Sequence, residues 1–361
     1  MQQNYFSKFL ISGSEVLHDQ IVTVEDTYVT SIAPYDHETI VSDAVKAHYL
    51  VPSFIDLQIY GAGGRLFSMY PSAETLHTMY EECLKSGTAQ FLVTIATNTL
   101  EVIKAGIDAI KDYWKLGGKG ILGLHLEGPW INKIKRGAHI EAFIKSPEIA
   151  EVSFILNYGR DVIKMITLAP EVCHQEVLNL IRSYGITISA GHSDATFAQA
   201  TASFSKGINA VTHLFNAMSS FHHRDTGLAG AAFEHSTVMS SIIVDGYHVD
   251  YTAVKIAKRL MGDRLFLITD AVTETNGGPY PHIYHEGRYL SLNTLSGSAL
   301  SMLQAVKNCI EHCGMPPDEA FKMASLYPAR LLNIPGGTIS IGQTASFISL
   351  DENLEVLDSF N

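Results

Sequence analysis

The chain has 361 residues, of which 46% are hydrophobic and 17% charged. That is enough apolar material for one large core or two domains, and it excludes a disordered composition. A formal net charge of −12, from 25 basic and 37 acidic residues, argues against non-specific binding to nucleic acid or an anionic membrane, while leaving room for a local cationic pocket.

The opening stretch MQQNYFSKFLISGSEV lacks the long apolar segment of a signal peptide, and no later apolar run is long enough to span a bilayer. The expected location is the cytosol. Residues 1–50 carry short alternating stretches such as QIVTVEDTYVTSIA, and the tail repeats that texture in GTISIGQTASFISLDENLEVLDSF. Short strands at both termini predict one small β domain built from residues 1–50 and 336–361.

Between them, eight apolar runs stop at glycine or polar residues. They are VPSFIDLQI from 51, AQFLVTIA from 89, GILGLHLE from 120 and IKMITLA from 163, then ITISAGH from 186, NAVTHLF from 209, VMSSIIVDG from 238 and RLFLITDA from 264. Helix-like segments such as SAETLHTMYEECLKS, LEVIKAGIDAIKDYWK and VDYTAVKIAKRLM separate them. Mostly continuous apolar strands alternating with helices predict an α/β fold, a (β/α)8 TIM-type barrel over residues 51–335. A doubly wound open sheet is the alternative, but no GxGxxG follows the first strand. The four cysteines form no CxxC pair; Cys309 and Cys313, one helical turn apart, are a candidate soft-metal pair, with buried packing as the plainer role.

The polar residues fall at strand exits. Asp56 and Gln58 close the first strand, Glu127 follows the third, His192 the fifth, His213 closes the sixth and Asp270 the eighth. In a barrel of this kind, function gathers at the C-terminal ends of the strands. Glu127, His192 and His213 supply one carboxylate and two imidazoles, the set that holds a hydrolytic Zn²⁺ with an open position for water. Fe²⁺, Co²⁺ and Mn²⁺ accept the same donors. Asp270 is placed to move a proton between water and a leaving amine; its plainer role is an N-cap for the following segment.

Six motifs, LGLHLEGPWINKIKRGAH, SAGHSDAT, THLFNAM, IIVDGYHVD, LITDA and LSGSALSM, resemble in their order the N-acetylglucosamine-6-phosphate deacetylase family of the amidohydrolase superfamily. EHCGMPPDEAFKMASLYPAR extends the resemblance towards the C-terminus. It implies a metal-bearing barrel, a sandwich from both termini, a homodimer and an amino-sugar phosphate as substrate. It implies one divalent ion on Glu127, His192 and His213, with Asp270 as the acid/base. His139 would contact the acetamide carbonyl, beside Ala138, and Asn216 and Ala217 would contact the sugar. Asp245, Gly246, Tyr247 and His248 form a further substrate segment, with His248 at the phosphate end. Leu295, Ser296 and Gly297 would close over the substrate.

Arg224 matches a phosphate-binding arginine that in this family can come from the neighbouring subunit; read alone, it is a loop cation fit for a surface salt bridge. Two departures stand out. Many amidohydrolases close the first strand with His-x-His, which holds a second metal, whereas here the place reads DLQIYG, with Gln58 and Tyr60. An amide and a phenol are poor ligands for a transition metal at neutral pH, so one ion per chain is expected. RDTGLAG also has threonine where proline more often precedes the glycine. The implied reaction is deacetylation of N-acetylglucosamine 6-phosphate. The galactosamine epimer and a catalytically silent phosphosugar binder are the alternatives.

Overall fold

The computed structural model of the chain describes residues 2–35, 44–291 and 294–361. Four strands come first: β1 (Gln2–Ser12), β2 (Glu15–Glu25), β3 (Tyr28–Pro34) and β4 (Val45–Pro52). The barrel begins with β5 (Phe54–Ile59), followed by a small ribbon of β6 (Gly61–Ala62) and β7 (Arg65–Leu66). It continues through β8 (Thr88–Ala96), β9 (Ile121–Glu127), β10 (Ile163–Leu168) and β11 (Thr187–Ala190). β12 (Ala210–Val211), β13 (Met239–Ile242) and β14 (Leu265–Leu267) complete it. A hairpin-like sheet of β15 (Ile283–His285), β16 (Arg288–Ser291) and β17 (Thr294–Ser298) follows, and β18 (Phe347–Leu350) and β19 (Val356–Phe360) end the chain.

The terminal strands form one sheet in the order β19-β18-β4-β1-β2-β3, so both ends of the chain build it together. Val29 N–H donates to Gln343 O at 3.0 Å and Ala345 N–H to Thr27 O at 2.8 Å, tying β3 back to the segment that enters β18. The sheet therefore curls around its own core of Tyr5, Leu10, Val22, Val24, Leu50 and Phe347. This is the small β domain that the texture of the termini predicts and that the resemblance describes as a β-sandwich.

The barrel strands pair in parallel in the order β14-β13-β12-β11-β10-β9-β8-β5. Their residues are buried on both faces, which is why they read as continuous apolar runs. Helices pack outside; the one over Leu100–Lys115 is capped by Thr99, which accepts from Val102 N–H, and buries Ile103, Ile107 and Ile110. The seam between β14 and β5 is closed by residues just past β14. Asp270 N–H donates to Gln58 O at 3.0 Å and Tyr60 N–H to Ala271 O at 2.9 Å.

Two strands are shorter than the apolar runs suggest. β12 stops at Val211 and β14 at Leu267, and shortly beyond each the backbone turns left-handed, at His213 (φ 34°) and Asp270 (φ 55°). Among the described residues no helix is long and apolar enough to cross a membrane. All four cysteines are unpaired. Burial pushes the Cys309 thiol far up and the Cys313 thiol to about 11, in keeping with packing residues.

Candidate active site

Parallel register brings the strand exits to one level. Ala96 pairs with Glu127 across β8 and β9, Glu127 with Thr167 across β9 and β10, and Ala190 with Val211 across β11 and β12. Glu127, His192, His213 and Asp270 therefore meet at one mouth, all buried. His192 (φ 48°), His213 and Asp270 all sit in the left-handed region, which costs a non-glycine residue on the order of 1–3 kcal/mol and concentrates at functional sites. His125 bridges Leu57 O at 2.9 Å and Thr167 Oγ1 at 2.7 Å, and burial lowers its pKa to about 4, so it is a neutral structural residue.

The tightest contacts centre on Glu127. Its Oε1 lies 3.1 Å from His213 Nε2 and 3.3 Å from His192 Nε2, and those two nitrogens are 3.1 Å apart. Its Oε2 lies 3.0 Å from His139 Nε2 and accepts a hydrogen bond from the Tyr60 hydroxyl. Burial alone would raise the Glu127 carboxyl, but the imidazoles packed around it, those of His192, His139 and His213, hold it well below the usual range.

Hydrogen-bond partners assign the imidazole protons. His192 Nδ1 faces the carbonyl of Lys135 at 3.0 Å, so that nitrogen donates and Nε2 carries a lone pair. The backbone N–H of Thr97 lies 3.3 Å from His139 Nδ1 and can only donate, so the proton of His139 sits on Nε2. Thr97 Oγ1 stands 2.7 Å from the same Nδ1. Gly128 keeps this contact possible, because a Cβ there would lie 2.1 Å from Thr97 Oγ1.

The donors fit a metal ion. Glu127 Oε1, His192 Nε2 and His213 Nε2 converge with more lone pairs than protons between them, which a cation would satisfy. Ligands about 2.0–2.1 Å from a tetrahedral ion stand roughly 3.3–3.4 Å apart, close to the separations seen here. Glu127, His139 and His192 also form a buried group able to hold a metal. The protonated Nε2 of His139, on the other carboxylate oxygen, makes it a hydrogen-bond donor in this arrangement.

Asp270 stands opposite. Its Oδ1 accepts from Gln58 Nε2 at 2.7 Å, and the same amide nitrogen reaches Glu127 Oε1 at 2.9 Å. Burial and the charge of Glu127 push the Asp270 carboxyl well above the usual carboxylate range. Asp56, the other strand-end carboxylate, turns away from the mouth. It accepts from Gln58 N–H at 3.1 Å, from Thr269 N–H at 3.3 Å and from the Thr269 hydroxyl, so its work is to close the barrel seam.

A cavity of about 200 Å³ opens above the cluster. Ala138, His139, Asn216, Ala217, His248, Leu295, Ser296 and Gly297 line it, together with Glu127, His192, His213 and Asp270. Asp245 does not line it, but its Oδ2 accepts from His248 Nδ1 at 2.6 Å and its Oδ1 from the N–H groups of Tyr247 and His248, which aims His248. Gly246 is outside the lining, and Tyr247 is 47% exposed with the Arg288 guanidinium stacked 5.3 Å from its ring centre. Arg224 lies on an exposed loop outside the cavity, where its backbone N–H donates to His222 Nδ1 and its Nε to His223 Nε2. Sequence reasoning missed Tyr280 and His282, which line the cavity from a loop, GGPYPH, that leads into β15 without periodicity; its one signal is its place after the eighth strand.

A closed parallel barrel with this mouth defines a class of enzyme that assembles a metal site from the C-terminal ends of its strands. The model described as "Amidohydrolase family" matches residues 49–361, and the chain belongs to that family. It is similar to an N-acetylglucosamine-6-phosphate deacetylase of Haemophilus influenzae, 34% identical over 95% of this chain and 93% of that protein. It is also similar to an N-acetylgalactosamine-6-phosphate deacetylase of Shewanella sp. (strain ANA-3), 33% identical over 87% and 84%. Among solved structures, an N-acetylglucosamine-6-phosphate deacetylase from Pasteurella multocida superposes with a TM-score of 0.93 at 31% identity, covering 99% of this chain and 98% of that one.

Proposed function

We propose that this chain hydrolyses the acetamide of N-acetyl-D-glucosamine 6-phosphate to acetate and D-glucosamine 6-phosphate. The observation that carries the reading is the convergence of Glu127, His139, His192, His213 and Asp270 on one buried cavity, in a chain similar to deacetylases of that compound. Glu127, His192 and His213 would hold one divalent ion, with Zn²⁺ suited to two imidazoles and a carboxylate, and Fe²⁺, Co²⁺ or Mn²⁺ able to replace it. When bound, the ion supplies Lewis acidity and lowers the pKa of water towards neutrality.

The chain's own residues do the rest. His139, with its proton on Nε2, donates to the acetamide oxygen as negative charge develops there. Asp270 takes the proton of the attacking water and returns it to the nitrogen as the C–N bond breaks. Asn216, Ala217, Leu295, Ser296 and Gly297 surround the sugar, and His248, oriented by Asp245, faces the phosphate. The described lining contains no Lys or Arg, so the cation for the phosphate would be Arg224 from a second copy of the chain, in a homodimer. Four unpaired cysteines suit a cytoplasmic setting.

Acetate release from the purified, metal-loaded protein tests the reading. N-acetylglucosamine 6-phosphate is expected to turn over fastest. Faster turnover of the galactosamine epimer would move the assignment to the activity that names the Shewanella relative. Release from no acetylated sugar phosphate would leave a phosphosugar binder.

A further inference from the structure

Outside the cavity, one carboxylate ties together the two loops that hold His192 in place. Glu171 lies in the single turn Pro170–Val172 just after β10. Its Oε1 accepts from Asn132 Nδ2 at 2.8 Å and from the backbone N–H of Asp194 at 2.6 Å. Its Oε2 accepts from the Ser193 hydroxyl at 2.7 Å. Three donors thus converge on one side chain, two from the loop that carries His192 and one from the loop that follows Glu127.

Both loops act on the His192 ring. Asn132 N–H donates to the carbonyl of His192 at 2.9 Å, and three residues later the carbonyl of Lys135 receives the His192 Nδ1 proton at 3.0 Å. Lys135 Nζ also pairs with Asp194 at 3.3 Å, a second tie between the loops. His192 is held at a φ of 48°, a conformation that persists only when its surroundings over-determine it. Partners of Glu171 therefore directly follow the strained residue and also lie on the loop that sets its tautomer.

We propose that Glu171 is a positioning residue for metal binding. It clamps the 130–136 loop to the 192–195 loop, so that His192 presents Nε2 to the metal with Nδ1 protonated. The inference rests on the reading of His192 as a metal ligand. Groups that orient a metal-binding histidine typically change metal affinity by about 10–100-fold when removed.

The test is Zn²⁺ affinity of the full chain, measured by competition with a chromophoric chelator and read beside the apparent Tm. Glu171→Ala is expected to weaken Zn²⁺ binding roughly 10–100-fold. Glu171→Gln should recover most of the loss, because its amide oxygen can still accept from Asn132 and Asp194 while its NH₂ donates to the Ser193 hydroxyl. A lower Tm with unchanged Zn²⁺ affinity in Glu171→Ala would overturn the clamp and leave a purely structural residue. If that variant does not fold, Ser193→Ala carries the comparison: several-fold weaker Zn²⁺ binding supports the clamp, and wild-type affinity overturns it. A wild-type protein that takes up no Zn²⁺ overturns the metal reading and the clamp with it, whereas unchanged affinity in the variants overturns the clamp alone.

Discussion

The amide nitrogen of Gln58 donates to Asp270 Oδ1 at 2.7 Å and stands 2.9 Å from Glu127 Oε1, joining the carboxylate proposed as acid/base to the one proposed as metal ligand. An amide is a poor substitute for an imidazole as a transition-metal ligand, but it can hold two carboxylates at a fixed spacing. Gln58→Ala is therefore expected to keep the metal ion while lowering kcat roughly tenfold, because Asp270 loses its orientation. Metal analysis and kcat on the same sample check this. Loss of the ion in that variant would make Gln58 part of the metal site.

Asp270→Asn keeps the side chain's shape but cannot accept a proton at neutral pH. Metal content and substrate binding should survive while turnover falls at least about a hundredfold. Turnover near the wild-type rate would remove Asp270 from the mechanism.

The phosphate prediction follows from the cavity's lack of lysine and arginine among its described lining. Arg224→Ala should penalise the phosphorylated substrate and leave the weak activity on free N-acetylglucosamine little changed, since remote binding energy positions the reacting amide. Equal losses on both substrates would place Arg224 elsewhere.

Asp56 gives a pH signature. Burial raises its carboxyl to about 6 despite the hydrogen bonds from Thr269 and Gln58. The folded value lies above the unfolded value of about 3.9, so its favourable contribution is fully present below pH ~3.9 and is lost as pH rises through about 6. Wild-type protein should therefore lose stability relative to Asp56→Asn between those pH values, by up to about 3 kcal/mol. Apparent Tm values of both proteins across that window report it; a gap that does not move with pH would contradict the assignment.

Much of this arrangement can be read from residue order. Parallel strands buried on both faces appear as apolar runs, and Glu127, His192 and His213 stand out because each ends or follows one. Asp56 looked equivalent by the same criterion, but the barrel closes through it, and only the pairing of β5 with the segment beyond β14 reveals that. The left-handed backbone at His192, His213 and Asp270 is invisible in residue types, since none is glycine. Tyr280 and His282 reach the cavity from a loop whose path is set by tertiary contacts, including the Tyr280 hydroxyl on the Thr97 carbonyl. Arg224 is marked by resemblance alone, and one chain leaves it on the surface.

Metal content measured beside acetate release, on dialysed protein before and after chelation, bears most directly on the site. One divalent ion per chain is expected, lost together with activity on chelation and absent from Glu127→Ala and His192→Ala. Two tightly bound ions per chain, or full acetate release from the metal-free protein, would contradict a single ion held by Glu127, His192 and His213.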